Sequence, residues 1–173
     1  MIFLTVGTQL PFERLVKAID EWAAGNTHTP VFAQIGATEY QPKHLEVTSG
    51  LSPCEYQEKF NAASLVVSHV GMGTIISGLD SDKPMVLMPR KAALGEHRND
   101  HQLATARKFE RFELIDIAHD TSQLCTHLNT RLKRLHNSQE NTEPSSEHKK
   151  LKVSPGLTER LKLFLDEVKG NVK

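Results

Sequence analysis

Cysteine is scarce in this 173-residue sequence: only Cys54 and Cys125 occur, far apart. They form no CxxC pair, so no disulfide framework is indicated and a reducing compartment fits. Net charge is also lacking, because 21 Lys and Arg balance 21 Asp and Glu. Such a chain has no bulk field with which to gather nucleic acid, and no nucleic-acid partner is expected. Long apolar runs are missing too. The stretch from Met1 to Val6 is apolar but short, has no basic residues before it and soon meets polar Thr8 and Gln9. It does not read as a signal peptide. No run approaches the roughly 18 apolar residues of a membrane span, so work at a membrane would need another component to hold the chain there. There is no internal repeat and no Gly-Lys-Ser/Thr of a P-loop.

What remains is ordinary in composition and regular in pattern. Apolar strands are predicted over 2–6, 31–35, 64–68, 84–88 and 113–117, with a weaker one over 44–47. Between them lie helical patterns. Phe12, Leu15, Val16, Ile19 and Trp22 share one face of a helix after Pro11 that Gly25-Asn26 stops. Further helices are predicted over 53–63, 73–80, 99–109 and 121–135. Short buried strands alternating with amphipathic helices call for an α/β fold, an open parallel sheet with helices on both faces. In such folds ligands sit beyond the carboxyl ends of the strands. The loops expected at that edge are Gly7-Thr8-Gln9, His69 to Gly73, and Pro89 to Arg98. The expected domain spans 1–135. Residues 136–154 are polar and read as a flexible linker. Over 155–173, Leu157, Leu161, Phe164, Leu165 and Val168 form a helical stripe that packs either on its own domain or on a partner.

The turn SHVGMGTIISGL (68–79) joins a strand to a helix. Gly71 and Gly73 begin a GxG, but position 76 is Ile, so the dinucleotide fingerprint fails. Two readings stand: a tight turn without a ligand, or a helix N-terminus whose N–H groups receive an anionic oxygen, with Thr74 adding a hydroxyl. His69 would sit at the same edge, presenting an imidazolium or a neutral N–H. The segment from Pro89 to Gln102 carries Arg90, Lys91 and Arg98 with His97 and His101. Arginine can stabilise a diphosphate or grip a carboxylate. Asp100 and Gln102 can hydrogen-bond sugar hydroxyls, while Asn99 or Asp100 can instead cap the helix. His97 and His101, spaced i, i+4 beside Glu96, are a weak metal pattern without a clear third ligand, and no metal is assigned.

The stretches FLTVGTQLPFERLVKAIDEW, LVVSHVGMGTIISGLDSDKPMVLMPR and GEHRNDHQLATA resemble the C-terminal, donor-binding domain of glycosyltransferase family 28 over roughly residues 1–135. Within that family the chain is most similar to small bacterial exopolysaccharide transferase subunits of the PssE and EpsF type. The resemblance implies the Rossmann-like C-terminal half of a GT-B glycosyltransferase. It implies Gly7 and Thr8 in the first phosphate-side loop. His69, Gly71, Gly73 and Thr74 would face the diphosphate of a UDP-sugar. Asn99, Asp100, His101 and Gln102 would address the donor sugar and phosphates. Arg90 or Arg98 would help stabilise charge on the departing UDP, or read a uronate carboxylate. Many relatives hold the ribose with a Glu on the helix after the glycine turn, and here that position is Ser77. A second departure is Asp80-Ser81-Asp82, where relatives often have a glycine.

The implied activity is inverting transfer of a hexosyl or hexuronosyl group from a UDP-sugar, which is a substrate and not a cofactor. The acceptor would be a lipid-linked saccharide in exopolysaccharide or capsule biosynthesis. His69 is the catalytic candidate, and no general base is assigned. The expected partner is a membrane-anchored subunit that binds the acceptor, placing the chain in the cytoplasm at the inner face of the plasma membrane. The alternative is a non-catalytic accessory subunit that stabilises a partner transferase. A free-standing nucleotide-sugar epimerase fits less well.

Overall fold

Strands and helices alternate along residues 1–140, the part of the chain that the computed structural model describes. In chain order they are β1 (Ile2–Thr5), α1 (Glu13–Ala24), β2 (Val31–Gln34), β3 (Glu46–Thr48), α2 (Pro53–Ala62), β4 (Leu65–His69), α3 (Met72–Asp80), β5 (Met85–Met88), α4 (His101–Phe109), β6 (Ile115–Ile117) and α5 (Thr121–Glu140), with a 3-10 turn at Ala92–Leu94 before α4. The six strands form one sheet in the order β3-β2-β1-β4-β5-β6. Every pairing is parallel. That is why β1, β2 and β5 are buried along their whole length: helices cover both faces, so no polar face is needed.

The main core lies between the sheet and the α1–α5 layer. Leu15, Val16, Ile19 and Trp22 of α1 meet Leu124 and Leu128 of α5 over Leu4, Val67 and Val86. Each such side chain contributes roughly 1.5–3 kcal/mol by leaving water. The Trp22 indole N–H also donates to Asn129 across the two helices, at 3.0 Å. On α2 a capping box fixes the start: Ser52 accepts from the Glu55 N–H, and the Glu55 carboxylate accepts from the Ser52 N–H at 2.8 Å.

Three of the boundaries that differ from expectation have a visible cause. The weak third strand begins at Glu46, not His44, because the N–H groups of Lys43 and His44 donate to buried Asp20 on α1. Helix α4 begins at His101, because the preceding residues are drawn into contacts of their own loop. Helix α5 continues to Glu140, into the predicted linker. Its added residues are polar, but no Gly or Pro interrupts them, so propagation continues. The rest of the predicted linker and the apolar stripe over 155–173 lie outside the described residues. No helix among the described residues is long and apolar enough to cross a membrane.

Candidate donor-nucleotide site

Strands β1 and β4 are neighbours in the sheet, although α1, β2, β3 and α2 separate them in sequence. The strand order therefore reverses between them, and the loops leaving their carboxyl ends part to open a crevice. A cavity of about 480 Å³ occupies that position, a size suited to a small ligand. The β1 loop lines it with Gly7, Thr8 and Gln9. The β4–α3 turn contributes His69, Gly71, Gly73 and Thr74, and Arg90 enters from the end of β5. The far wall comes from His97, His101, Gln102 and Thr105.

The strand ends are fixed by buried polar pairs. Thr5 donates to Gln34 at 2.8 Å, and Ser68 donates to the Thr5 carbonyl at 2.8 Å. The chain then turns at Gly7, whose φ of +77° is a left-handed value that suits glycine. The His69 ring is wedged between two glycines. A Cβ at Gly71 would lie 2.4 Å from His69 Nε2, and one at Gly7 would lie 2.9 Å from His69 Cε1. Gly73 differs, because a Cβ there would meet nothing within 4 Å. The first two glycines make room for the imidazole. The third leaves open space through which a ligand can approach the backbone.

Burial, then the nearby charges of Arg90 and His97, push the His69 pKa down to about 4, against a hydrogen bond to the Thr5 backbone that favours the charged form. His69 is therefore neutral near pH 7, which replaces the imidazolium alternative. The neutral ring carries a single N–H, and the hydrogen bond to the Thr5 backbone takes it. No side chain caps α3. Its first turn thus offers backbone N–H groups and the positive end of the helix dipole to the cavity. Thr74 is 8% exposed, with its hydroxyl 3.5 Å from that of Tyr56.

The segment after β5 is less open than its charge suggests. Arg90 is only 3% exposed. Its Nη2 donates to the carbonyls of Val6 at 2.8 Å and Leu10 at 2.6 Å, tying β5 to the β1 loop. Gln102 accepts from the Arg90 backbone N–H at 3.1 Å. Glu96 takes two hydrogen bonds from Arg14 of α1, at 2.6 and 2.8 Å, and a third from the Lys91 N–H. With Glu96 committed there, the His97–His101–Glu96 trio does not assemble as a metal site.

The structure brings together Gly7, Thr8, His69, Gly71, Gly73, Thr74, Arg90, His101 and Gln102. Ser77, Arg98, Asn99 and Asp100 do not line the cavity. Arg98 is exposed. The Asp100 carboxylate accepts from the Ala92 N–H at 2.8 Å, and Asn99 accepts from His101. Asp100 is the residue before α4, but its side chain makes no capping bond there. Asp80-Ser81-Asp82 has the DxD spacing of a metal-binding aspartate pair, yet it lies at the end of α3 before β5, at the opposite edge of the sheet. Gln9 and His97 lie in loops expected at this edge but were not singled out for donor binding, and Thr105 was not named. Thr105 was recoverable, since it follows His101 by one helical turn. His97 was weighed only as a metal ligand, and its place depends on the Glu96–Arg14 clamp, which no local spacing reveals.

The doubly wound parallel sheet with its crevice at the β1–β4 switch is the Rossmann-like C-terminal half of the GT-B glycosyltransferase architecture. The chain belongs to the glycosyltransferase family 28 C-terminal domain family, which matches residues 1–160. Among solved structures it is similar to the glycotransferase of kitacinnamycin, with a TM-score of 0.55 and 21% identity over 80% of this chain and 39% of that one. It is also similar to MurG of Acinetobacter baumannii, with a TM-score of 0.53 and 21% identity over 79% of this chain and 41% of that one. The solution structure of ALG13 aligns with a TM-score of 0.51 and 18% identity, over 84% of this chain and 90% of ALG13. The chain thus spans about two fifths of the first two structures and most of the third. No curated protein sequence matches it.

Proposed function

We propose that this chain is the donor-binding subunit of a UDP-sugar glycosyltransferase. It would transfer a hexosyl or hexuronosyl group, with inversion, to a lipid-linked saccharide in exopolysaccharide or capsule biosynthesis. The acceptor is held by a membrane-anchored partner subunit, which keeps this chain at the inner face of the plasma membrane. The observation that carries the donor reading is the cavity at the β1–β4 switch, with the uncapped start of α3 on one side and Arg90 on the other. Among the described residues no carboxylate lines it, so a diphosphate meets no like charge from them. The N–H groups of α3 stabilise charge developing on the departing UDP, and the His69 ring, wedged against Gly71, shapes the turn that presents them. Gly7 and Thr8 close the phosphate side, and His101 and Gln102 face the sugar side. Arg90 shapes the site by bracing the β1 loop. That role and the outward position of Arg98 remove the basis for favouring a uronate donor.

A second reading is a non-catalytic subunit that stabilises a partner transferase. It is favoured by the absence of Ser77 and, among the described residues, of any carboxylate from the cavity wall, which leaves the ribose hydroxyls without an acidic partner from residues 1–140. Calorimetry of the chain with UDP separates the two. Micromolar binding supports the donor reading, and no binding supports the accessory one. A donor screen of the chain co-expressed with an acceptor-binding subunit then identifies the sugar.

A further inference from the structure

The segment over 91–101 carries His97 and His101 to the far wall of the cavity, yet none of its residues is buried. Its large apolar side chain, Leu94, is 58% exposed. Burial of apolar area therefore does little to hold this segment, and polar contacts must fix its place. They converge on one side chain. The Arg14 guanidinium, from α1, donates to the Glu96 carboxylate at 2.6 and 2.8 Å, to the Pro89 carbonyl at 3.0 Å and, more weakly, to Met88 Sδ at 3.1 Å. The Glu96 carboxylate also accepts from the Lys91 N–H at 2.9 Å. One cation thus gathers both ends of the 89–96 loop and holds them against α1. Asp100 ties the loop only to itself, through the Ala92 N–H. The grip across the cavity is mutual. Arg14 follows the β1 loop and holds the loop after β5, while Arg90 follows β5 and holds the Val6 and Leu10 carbonyls of the β1 loop. Both guanidiniums lie 5.2 Å from the centre of the buried Phe12 ring. Neither Arg14 nor Glu96 lines the cavity.

We propose that Arg14 and Glu96 are positioning residues: their ion pair holds the far wall of the cavity in place before a ligand arrives, and donor affinity depends on it although neither residue touches the donor. The effect on the donor rests on the donor-site reading above; the closure of the wall does not. The pairing needs arginine. Its planar fork reaches the carboxylate and the Pro89 carbonyl together, which a lysine point charge cannot. Without the pair, the loop samples positions away from the cavity, and affinity falls with the fraction of chains that keep it in place. Because the loop adds little to the core, the fold survives the loss.

The test compares the full wild-type chain with Arg14→Ala, Arg14→Lys, Glu96→Gln and the double variant Arg14→Ala/Glu96→Gln. Amide hydrogen exchange without ligand reads the wall directly. The expected result is faster exchange at Lys91, Ala92, Gly95 and Glu96, whose N–H groups are bonded within the loop, with the strands unchanged. Calorimetry with UDP reads the consequence. Arg14→Ala should lose about ten- to a hundredfold in affinity and Glu96→Gln about tenfold. Arg14→Lys should recover part of the loss, and the double variant should lose no more than the larger single loss, since one pair is broken only once. A merely structural role would quicken exchange throughout the sheet and leave the UDP affinity of the folded chain as it was. That result overturns the proposal, as do unchanged loop exchange, unchanged UDP affinity in the variants, or losses that add in the double variant. Glu96→Gln is nearly isosteric, so the test stands even if Arg14→Ala does not fold. Quickened loop exchange with no UDP binding by the wild type sinks the donor reading and leaves the closure of the wall standing. Unchanged loop exchange with no UDP binding sinks both.

Discussion

Replacing Gly71 by alanine tests how this site is built. The φ of Gly71 is −102°, which any residue adopts, so the backbone does not oppose the change. The obstacle is His69. The new methyl would lie 2.4 Å from Nε2, 2.9 Å from Cε1 and 3.1 Å from Cδ2. Carbon–nitrogen contacts settle near 3.5 Å, so the ring must retreat by roughly 1 Å or rotate away. Gly7 closes its other side, where an added Cβ would lie 2.9 Å from Cε1. Overpacking of this kind costs about 1–3 kcal/mol. For a domain of this size that is a fall in Tm of about 2–12 °C. A double-mutant cycle isolates the cause. In a His69→Ala background the same glycine substitution should cost less than about 0.5 kcal/mol, because the clashing ring is gone. Chemical denaturation of the four proteins measures the coupling. An equal cost for Gly71→Ala in both backgrounds would refute the wedged-ring account and with it the assignment of Gly7 and Gly71 as spacers for the imidazole.

Other outcomes follow from the same structure. Asp20 is 3% exposed and accepts from the Tyr40 hydroxyl and the N–H groups of Lys43 and His44, so Asp20→Ala should cost about 2–4 kcal/mol by denaturant titration. Asp82 holds a left-handed φ of +48° just after α3, and Asp82→Gly should stabilise the fold by up to about 1 kcal/mol; a loss instead would mean that its side chain has a role of its own. His69 titrates at about 4 in the folded chain, below its ordinary value of 6.5. The neutral ring therefore stabilises the native state; the contribution is complete above about pH 6.5 and lost as pH falls toward 4. His69→Gln should flatten that acid limb in a stability-versus-pH profile, and an unchanged limb would contradict the burial of the ring.

The sheet was legible because its central strands are largely apolar. IFLT, LVVSH and MVLM suit a layer buried on both faces and little else, and the helices between them carry a clear 3.6-residue stripe. From that alternation a parallel sheet follows, and with it the edge where a ligand sits. The loops at that edge could be named in advance: Gly7, His69, Gly71, Gly73 and Gln102 all reach the cavity. What each does there was decided by tertiary contacts. Charge in a sequence does not say which way it points. Arg90 turned inward to the Val6 and Leu10 carbonyls, Arg98 stayed outside, and Asp100 went to its own loop. His97 reached the cavity because Glu96 found Arg14 on α1, a partner far away in sequence. The glycines show the same division. The sequence by itself determined that small residues stand between strand and helix. Only the fold decided that two of them make room for His69 and one leaves the backbone open, because the ring and the glycines meet across β1 and β4.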